Sequence, residues 1–265
     1  MSPAQARTSP AVGPLLREWR ERRRLSQMDL ALDAGVSTRH LSFVETGRAQ
    51  PSREMVLHLA EQLDVPLRAR NVLLLSAGYA PAYAERALDD PALAGARRAI
   101  DLVLAGHEPW PALVVDRHWQ VIAANNAIPS LLQGVDPELT AGPVNALRLA
   151  LHPKGLAPRI ANLAQWRAHL LHNLHAQIEA TADPVLAALE AEVSAYPVDD
   201  PGEDASDDLG GVAVPLRLRT SGGGLLSFIS TTTVFGTPRD VTLAELALET
   251  FLPADAATAA AYARP

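Results

Sequence analysis

Three histidines have the spacing that most readily suggests chemistry in this sequence. His169, His172 and His175 recur every three residues, so neighbouring pairs on a helix could approach one metal ion, although all three would not share one stripe. No HExxH motif and no carboxylate at ligand spacing accompanies them. An exposed polar helix face explains the same spacing, and we therefore predict no metal centre.

Catalytic motifs give no stronger signal. The chain has no Cys, which excludes thiolate catalysis, disulfide scaffolds, zinc fingers and iron–sulfur ligation. Gly222 to Gly224 follow Ser221 between two alternating segments and lack the GKS or GKT ending of a phosphate loop. No G-x-S-x-G nucleophile elbow occurs. The sequence predicts that the protein is not an enzyme and needs no cofactor.

Polar residues between 26 and 52 mark helix ends instead of a catalytic site. Ser26 lies three residues before Asp29, the spacing of a capping box, and Ser37 is placed to cap the next helix, which stops at Gly47. Gly35 supplies the positive φ of a sharp turn between these two helices. Helical periodicity continues from Pro14 to Leu75, so the pattern predicts five short helices with a helix-turn-helix in the middle.

This segment closely resembles the lambda/434 repressor-like DNA-binding domain of the XRE family. The match covers about 12–75 and rests on several positions at fixed spacing, namely Leu25-Ser26-Gln27, Leu30-Ala31, Ala34 to Ser37, Leu41-Ser42, Val44 to Arg48 and Pro51-Ser52. The resemblance implies that the third helix enters the major groove of double-stranded DNA. A helical bundle used only for protein contacts is the alternative.

The resemblance assigns DNA contacts to Gln27, Ser37, Thr38, Arg39, Phe43 and Arg48. Arg39 is the strongest candidate for specificity because a guanidinium reads guanine O6 and N7 together, which is worth roughly 1–3 kcal/mol. Phe43 either touches a thymine methyl or sugar or is structural. Gln27, Ser37 and Arg48 are expected at phosphates.

The second half of the sequence mixes helical and alternating patterns. Helices are predicted at 92–105, 125–133, 144–151, 159–179 and 184–193, and the acidic segment 199–208 is predicted to be a loop. Hairpins are predicted from 111–116 with 119–124 and from 212–219 with 225–235. Segment 242–250 fits either a helix, because it opens with a capping box, or a third C-terminal strand that covers an open sheet edge.

Two strands, several helices and then two or three strands form the order of a PAS-like α+β domain, an antiparallel sheet with helices on one face and a pocket between them. The MmyB-like ligand-binding domain is similar over about 100–262, through Pro111 to Asp116, Trp119, Asn125, Asn162, Trp166, Phe235 to Thr242 and Glu249 to Asp255. The resemblance implies a transcription regulator that binds an apolar small molecule such as a fatty acid or related lipid.

The predicted ligand site combines an apolar helix face with polar groups. Leu163, Trp166, Leu170 and Leu174 recur at spacings of three and four, which places them on one face of helix 159–179. Groups that could orient a ligand head are His152, Arg159, Asn162, Thr231 and Thr233. Each of these residues could equally serve only the core.

Charge and length suggest how these parts are arranged. Residues 1–70 hold 11 Arg against 8 acidic residues, and residues 71–265 hold 12 basic against 22 acidic ones, within a net charge of −7. We predict a disordered lead-in at 1–12, a DNA-binding domain at 13–80, a connecting helical segment at 81–107 and a ligand-binding domain at 108–265. No apolar run of about 20 residues occurs, and we expect a cytoplasmic protein.

A single module of this kind covers half of a DNA site. We therefore expect a homodimer on a palindromic operator, with helix 92–105 either at the dimer contact or packed within its own subunit. A PAS-like sensor or scaffold that uses its helical module for protein contacts is the competing function.

Overall fold

The computed structural model describes residues 11–198, 214–236 and 238–262. The chain divides into two compact units, with the first boundary between Glu85 and Arg86. Of the predicted lead-in at 1–12 only residues 11 and 12 are described, and Val12 is already the first residue of a helix. The predicted acidic loop at 199–208 lies outside the described residues.

The N-terminal unit consists of the five predicted helices. They are α1 (Val12–Arg22), α2 (Gln27–Asp33), α3 (Thr38–Glu45), α4 (Arg53–Gln62) and α5 (Leu67–Ser76). The predicted capping box is present, since Ser26 Oγ accepts the Asp29 N–H at 3.1 Å and Asp29 Oδ2 accepts the Ser26 N–H at 2.9 Å. Gly35 has φ +63°, so the turn between α2 and α3 uses the conformation that glycine favours.

Close packing of α1 on α3 fixes the orientation of α3. A Cβ atom at Gly13 would lie 2.4 Å from the carbonyl oxygen of Val44, so only glycine permits this approach. Side chains from all five helices fill the core beneath, including Leu16, Trp19, Leu30, Leu41, Val44, Val56, Leu59, Leu63, Leu73 and Leu74. The third helix is thus held rigidly, with one face left to solvent.

The C-terminal unit is an α+β domain around one five-stranded antiparallel sheet, as predicted. Its strands are β1 (Ala112–Val115), β2 (Val121–Ala124), β3 (Leu216–Arg219), β4 (Leu225–Val234) and β5 (Ala247–Pro253), in the order β2-β1-β5-β4-β3. The helices are α6 (Ala94–His107), α7 (Ile128–Leu131), α8 (Ala146–Leu151), α9 (Leu163–Thr181), α10 (Pro184–Ser194), α11 (Val241–Ala244) and α12 (Ala256–Tyr262).

Segment 242–250 contains both of the structures that its sequence allowed. The short helix α11 ends at Ala244, and β5 starts at Ala247. β5 pairs with β1 on one side and with β4 on the other. The strand therefore joins the two predicted hairpins into one sheet and covers an open edge of each.

Helices lie against both faces of the sheet, and our expectation of a single covered face was wrong. Leu216 and Phe228 on one face pack with α8, α9 and α10. On the other face, Val114 packs with Ile100 and Leu104 of α6. Side chains alternate along a strand, so both faces of this sheet present apolar residues. The apolar stripe of α6 therefore packs within its own subunit.

Candidate functional site

The first turn of α3 carries two of the residues predicted to touch base edges. Thr38 and Arg39 are its first residues, and both are exposed. Ser37 caps the helix, since its Oγ accepts the His40 N–H at 3.2 Å. The Ser37 hydroxyl keeps its proton for another acceptor, which is what a phosphate oxygen would offer.

Phe43 supports the guanidinium of Arg39. The Cζ atom of Arg39 lies 5.4 Å from the centre of the Phe43 ring, four residues later on the same helix. Such a cation–π contact is worth about 0.5–1 kcal/mol at an exposed site. Phe43 thus contacts the side chain of Arg39, and both of the roles that its sequence left open stay predictions.

Gln27 is partly committed to the interior of the unit. Its Nε2 donates to Oε2 of Glu45 at 2.7 Å. An amide nitrogen carries two hydrogens, so one remains for the phosphate contact predicted for this residue. Gln27 therefore links the predicted DNA surface to a buried carboxylate.

That carboxylate, Glu45, forms a buried ion pair that sequence reasoning missed. Arg20 donates from Nε to Oε1 at 2.7 Å and from Nη2 to Oε2 at 3.0 Å, and only 1% of the Glu45 side chain is exposed. The hydrogen bonds to Glu45 raise the pKa of Arg20 above its ordinary value. Arg20 is thus a structural residue, unlike Arg17 on the exposed side of α1.

Arg48 lies in the tight turn that ends α3. Gly47 has φ +72°, and the Arg48 N–H donates to the carbonyl of Phe43 at 2.8 Å. Within the described ranges neither Arg39 nor Arg48 forms an ion pair, and both are exposed. Their charges are therefore available to an anionic partner.

A mostly apolar cavity lies in the C-terminal unit between the sheet and its helices. The volume of this cavity is about 100 Å³. Apolar side chains of its wall include Leu113, Trp119, Ile128, Leu131, Leu147, Leu156, Ile160, Trp166, Leu170, Leu216 and Phe251. A cavity of this composition suits an apolar ligand whose few polar atoms meet specific partners.

The sheet wall of the cavity also holds three polar side chains. Ser230 and Thr232 of β4 and Glu249 of β5 line it, because the pairing register sets Glu249 opposite Thr232 on this face. The Thr232 hydroxyl donates to Oε1 of Glu249 at 2.7 Å. Burial raises the pKa of Glu249 above its usual range, and the Thr232 hydrogen bond offsets this only in part.

The helix wall of the cavity holds a second polar group. Trp166, His169 and Asn173 of α9 line it. Asn173 Nδ2 lies 3.2 Å from His169 Nε2, and the rings of His169 and Trp166 are 5.3 Å apart between centroids. Burial, together with nearby His172, lowers the pKa of His169, so the imidazole is neutral at pH 7.

Only part of the predicted ligand set lines this cavity. Trp166 and Leu170 do. Leu174 is fully buried in the core, and Leu163 packs against that core from the side. Thr231 and Thr233 do not line this cavity, because side chains alternate along β4: Thr231 Oγ1 lies 2.6 Å from Thr250 Oγ1 on the opposite face.

The other three polar candidates have structural roles and do not line the cavity. His152 packs edge-on against Tyr196, with ring centroids 5.0 Å apart. Arg159 donates to the carbonyls of Leu131, Gln133 and Arg219. Asn162 is buried and ties α9 to β3, since it donates to Pro215 O at 2.8 Å and accepts from Arg217 N.

The sequence contained a signal for Glu249, the residue of the cavity wall that sequence reasoning missed. Glu249 is the one carboxylate within the otherwise uncharged strand β5, and an acidic side chain at an inward strand position is costly unless something pairs with it.

The three histidines of the triplet have different surroundings: His169 faces the cavity, His172 is exposed and His175 Nδ1 lies 3.2 Å from Glu190 Oε1. Nowhere in the described ranges do three or more potential ligands converge as a metal site would require.

Comparison with known protein families agrees with the division of the chain into a helical N-terminal unit and an α+β C-terminal unit. Residues 96–264 match the family model of the MmyB-like transcription regulator ligand binding domain, and residues 11–73 match that of a helix-turn-helix domain. A comparison with curated proteins gave no match. None of the helices in the described part of the chain is long and apolar enough to cross a membrane. The chain belongs to the MmyB-like transcription regulators and carries a helix-turn-helix domain before its ligand-binding domain.

Proposed function

We propose that this regulator reads a specific DNA sequence through α3 and that an apolar small molecule bound in the C-terminal cavity modulates that binding. DNA reading is assigned to 13–80 and ligand binding to 108–265, with 81–107 between them. The observation that carries the DNA assignment is the exposed, cation-bearing start of α3, where Arg39 is supported by Phe43 and has no acidic partner in the described chain. Arg39 is the specificity residue, and Thr38 is its neighbour at the base edges.

A gel-shift titration at a fixed, stated salt concentration tests this function. The probes are the DNA upstream of the protein's own gene and derivatives of that DNA with single base-pair changes. Arg39→Ala should lose discrimination at one or two base pairs, worth about 1–3 kcal/mol. Arg48→Ala removes the same charge and is the matched control, which should weaken binding to all probes alike and reduce the salt dependence.

Binding that ignores DNA sequence at every salt concentration would reject the regulator function proposed for α3. The helical module would then serve protein contacts, the competing function. Equal losses on all probes from Arg39→Ala would assign base recognition elsewhere on α3.

The proposed DNA-bound form is a homodimer on a palindromic operator. A single helix-turn-helix covers one half-site, and two linked modules about one DNA turn apart raise affinity through effective concentration. Light scattering at micromolar concentration should give twice the mass of the chain without operator DNA, and that mass plus the mass of the DNA with it. A monomer under both conditions would refute this.

The proposed ligand is an apolar small molecule such as a fatty acid or related lipid. Support comes from the mainly apolar wall of the cavity, since burial contributes roughly 0.8 kcal/mol per CH₂ group. Regulation requires that the ligand bind the DNA-competent and DNA-incompetent states with different affinity. Native mass spectrometry of the purified protein, followed by extraction of what is released, tests for such a ligand.

A further inference from the structure

The wall of the C-terminal cavity has a feature that its apolar character alone does not explain. Among the described residues that line it, Glu249 and His169 are the ionisable side chains, and none is Lys or Arg. Glu249 is 92% shielded from solvent, with 8% of its surface exposed. A carboxyl group is thus built into an otherwise apolar wall without a cation beside it.

Glu249 is left with one oxygen to spare. Its Oε1 accepts the Thr232 hydroxyl at 2.7 Å, and its Oε2 has no hydrogen-bond partner among the described residues. A carboxyl group has acceptor sites on both oxygens, and Oε2 is not among the described side-chain atoms that are both fully buried and without a partner. Oε2 of Glu249 is therefore an accessible acceptor in a residue that lines the cavity.

A free carboxylate is poorly matched to this wall. It would lie beside Glu249 with no cation to offset two like charges, and sharing one proton between the two groups would still bury one net charge. The pKa of His169, the other ionisable group of this wall, is lowered by burial. Arg159, which was predicted to be one of the groups that orient a ligand head, donates to three main-chain carbonyls.

We infer that the ligand is an apolar molecule with a hydrogen-bond donor as its head group, a hydroxyl or an amine, and that Glu249 accepts from it inside the cavity. This inference rests on the proposed binding of an apolar ligand and names its class. Ser230 and Thr232 flank the head group from the same strand. Among lipids, the cavity thus selects alcohols and amines over free fatty acids.

Isothermal titration of the full chain with decanol, decylamine and decanoate at pH 7.5 tests this, since the three probes share one ten-carbon tail. The wild-type protein should bind decanol and decylamine at least about ten times more tightly than decanoate, because only these two can donate to Glu249. Glu249→Gln keeps the size of the side chain and removes its charge. It should weaken decylamine about ten-fold, weaken decanol less, and strengthen decanoate.

Glu138→Gln is the matched control, because Glu138 is exposed and lies outside the cavity. It changes the net charge equally and should leave all three affinities unchanged, which separates binding in the cavity from attraction of an amine to an acidic protein. Decanoate as the tightest ligand of the wild type, or an equal effect of both substitutions, would overturn the inference while leaving an apolar ligand in place. If none of the probes binds, the proposed ligand-binding function fails with it.

Discussion

Glu45 in the DNA-binding unit and Glu249 in the ligand-binding unit are both almost excluded from solvent, at 4% and 8% exposure, but their surroundings are opposite. Glu45 accepts three hydrogen bonds, two from Arg20 and one from Gln27. Glu249 accepts one, from a neutral hydroxyl. The Glu45 site is therefore saturated, since both of its oxygens accept hydrogen bonds from residues of the same unit. The Glu249 site is unsaturated, since one oxygen has no hydrogen-bond partner among the described residues and Glu249 lines a cavity.

This difference separates a structural group from a functional one. A buried ion pair with every acceptor met holds the helices in one arrangement, and removing one partner is strongly destabilising. A carboxyl group in an apolar wall without a cation beside it is an unfavourable feature of the free protein. Such a feature is understandable where a ligand later supplies the missing donor.

The largest effect is expected from breaking the saturated site. Arg20→Ala leaves the Glu45 carboxylate buried with Gln27 as its remaining partner, so the N-terminal unit should lose about 3–5 kcal/mol. Hydrogen exchange of amides in α1 to α4 measures the opening free energy of this unit. Arg17→Ala is the matched control, because its ion pair with Glu21 is exposed and should contribute little to stability. A loss below 1 kcal/mol from Arg20→Ala would show that Glu45 does not depend on its cation.

The features predicted correctly from sequence are those set by near neighbours. The capping box of Ser26 and Asp29 and the turn at Gly35 need no knowledge of the rest of the chain, and both are present. Each depends on residues at most three positions apart. Local side-chain chemistry therefore suffices to place the helix-turn-helix.

The features missed depend on distant partners or on register. Arg20 and Glu45 are 25 positions apart, so nothing near Arg20 distinguishes it from Arg17 and Arg22 of the same helix. Thr231 and Thr233 were chosen in place of Ser230 and Thr232, because a shift of one residue moves a strand side chain to the other face. The cavity side of β4 is set by its pairing with β5, which its own sequence does not reveal.

A smaller effect is expected from Gln27, the neutral donor to the saturated site. Gln27→Ala leaves the ion pair with Arg20 intact and removes one hydrogen bond to a charged group, so the N-terminal unit should lose about 1.5–3 kcal/mol. DNA affinity should fall alike on all operator variants, because Gln27 is predicted to contact phosphate and not bases. The same exchange experiment and gel shift measure both quantities. A change in the preferred DNA sequence would contradict this assignment.

The smallest effect, and one of opposite sign, is expected at the unsaturated site. Burial raises the pKa of Glu249 in the folded protein above the ordinary value of 4.5, so folding favours the neutral form. The resulting loss of folding stability is absent below about pH 4.5, where the Glu249 carboxyl group is protonated in both the folded and the unfolded state. It develops as the pH rises through the folded-state pKa, because the unfolded chain then gains more from ionisation than the folded protein does.

Glu249→Gln removes this penalty and should therefore stabilise the ligand-free protein at pH 8, by about 1.4 kcal/mol for each pKa unit that burial contributes. The gain should shrink as the pH falls towards 4.5. Thermal unfolding of wild type and variant at pH 8, 6.5 and 5 gives the difference at each pH, in which the titration of other groups cancels. The exposed Glu138→Gln substitution should show no such trend. If Glu249→Gln instead destabilised the free protein at pH 8, Glu249 would be as well paired in its unit as Glu45 is, and the oxygen assigned to a ligand would already be satisfied by the protein.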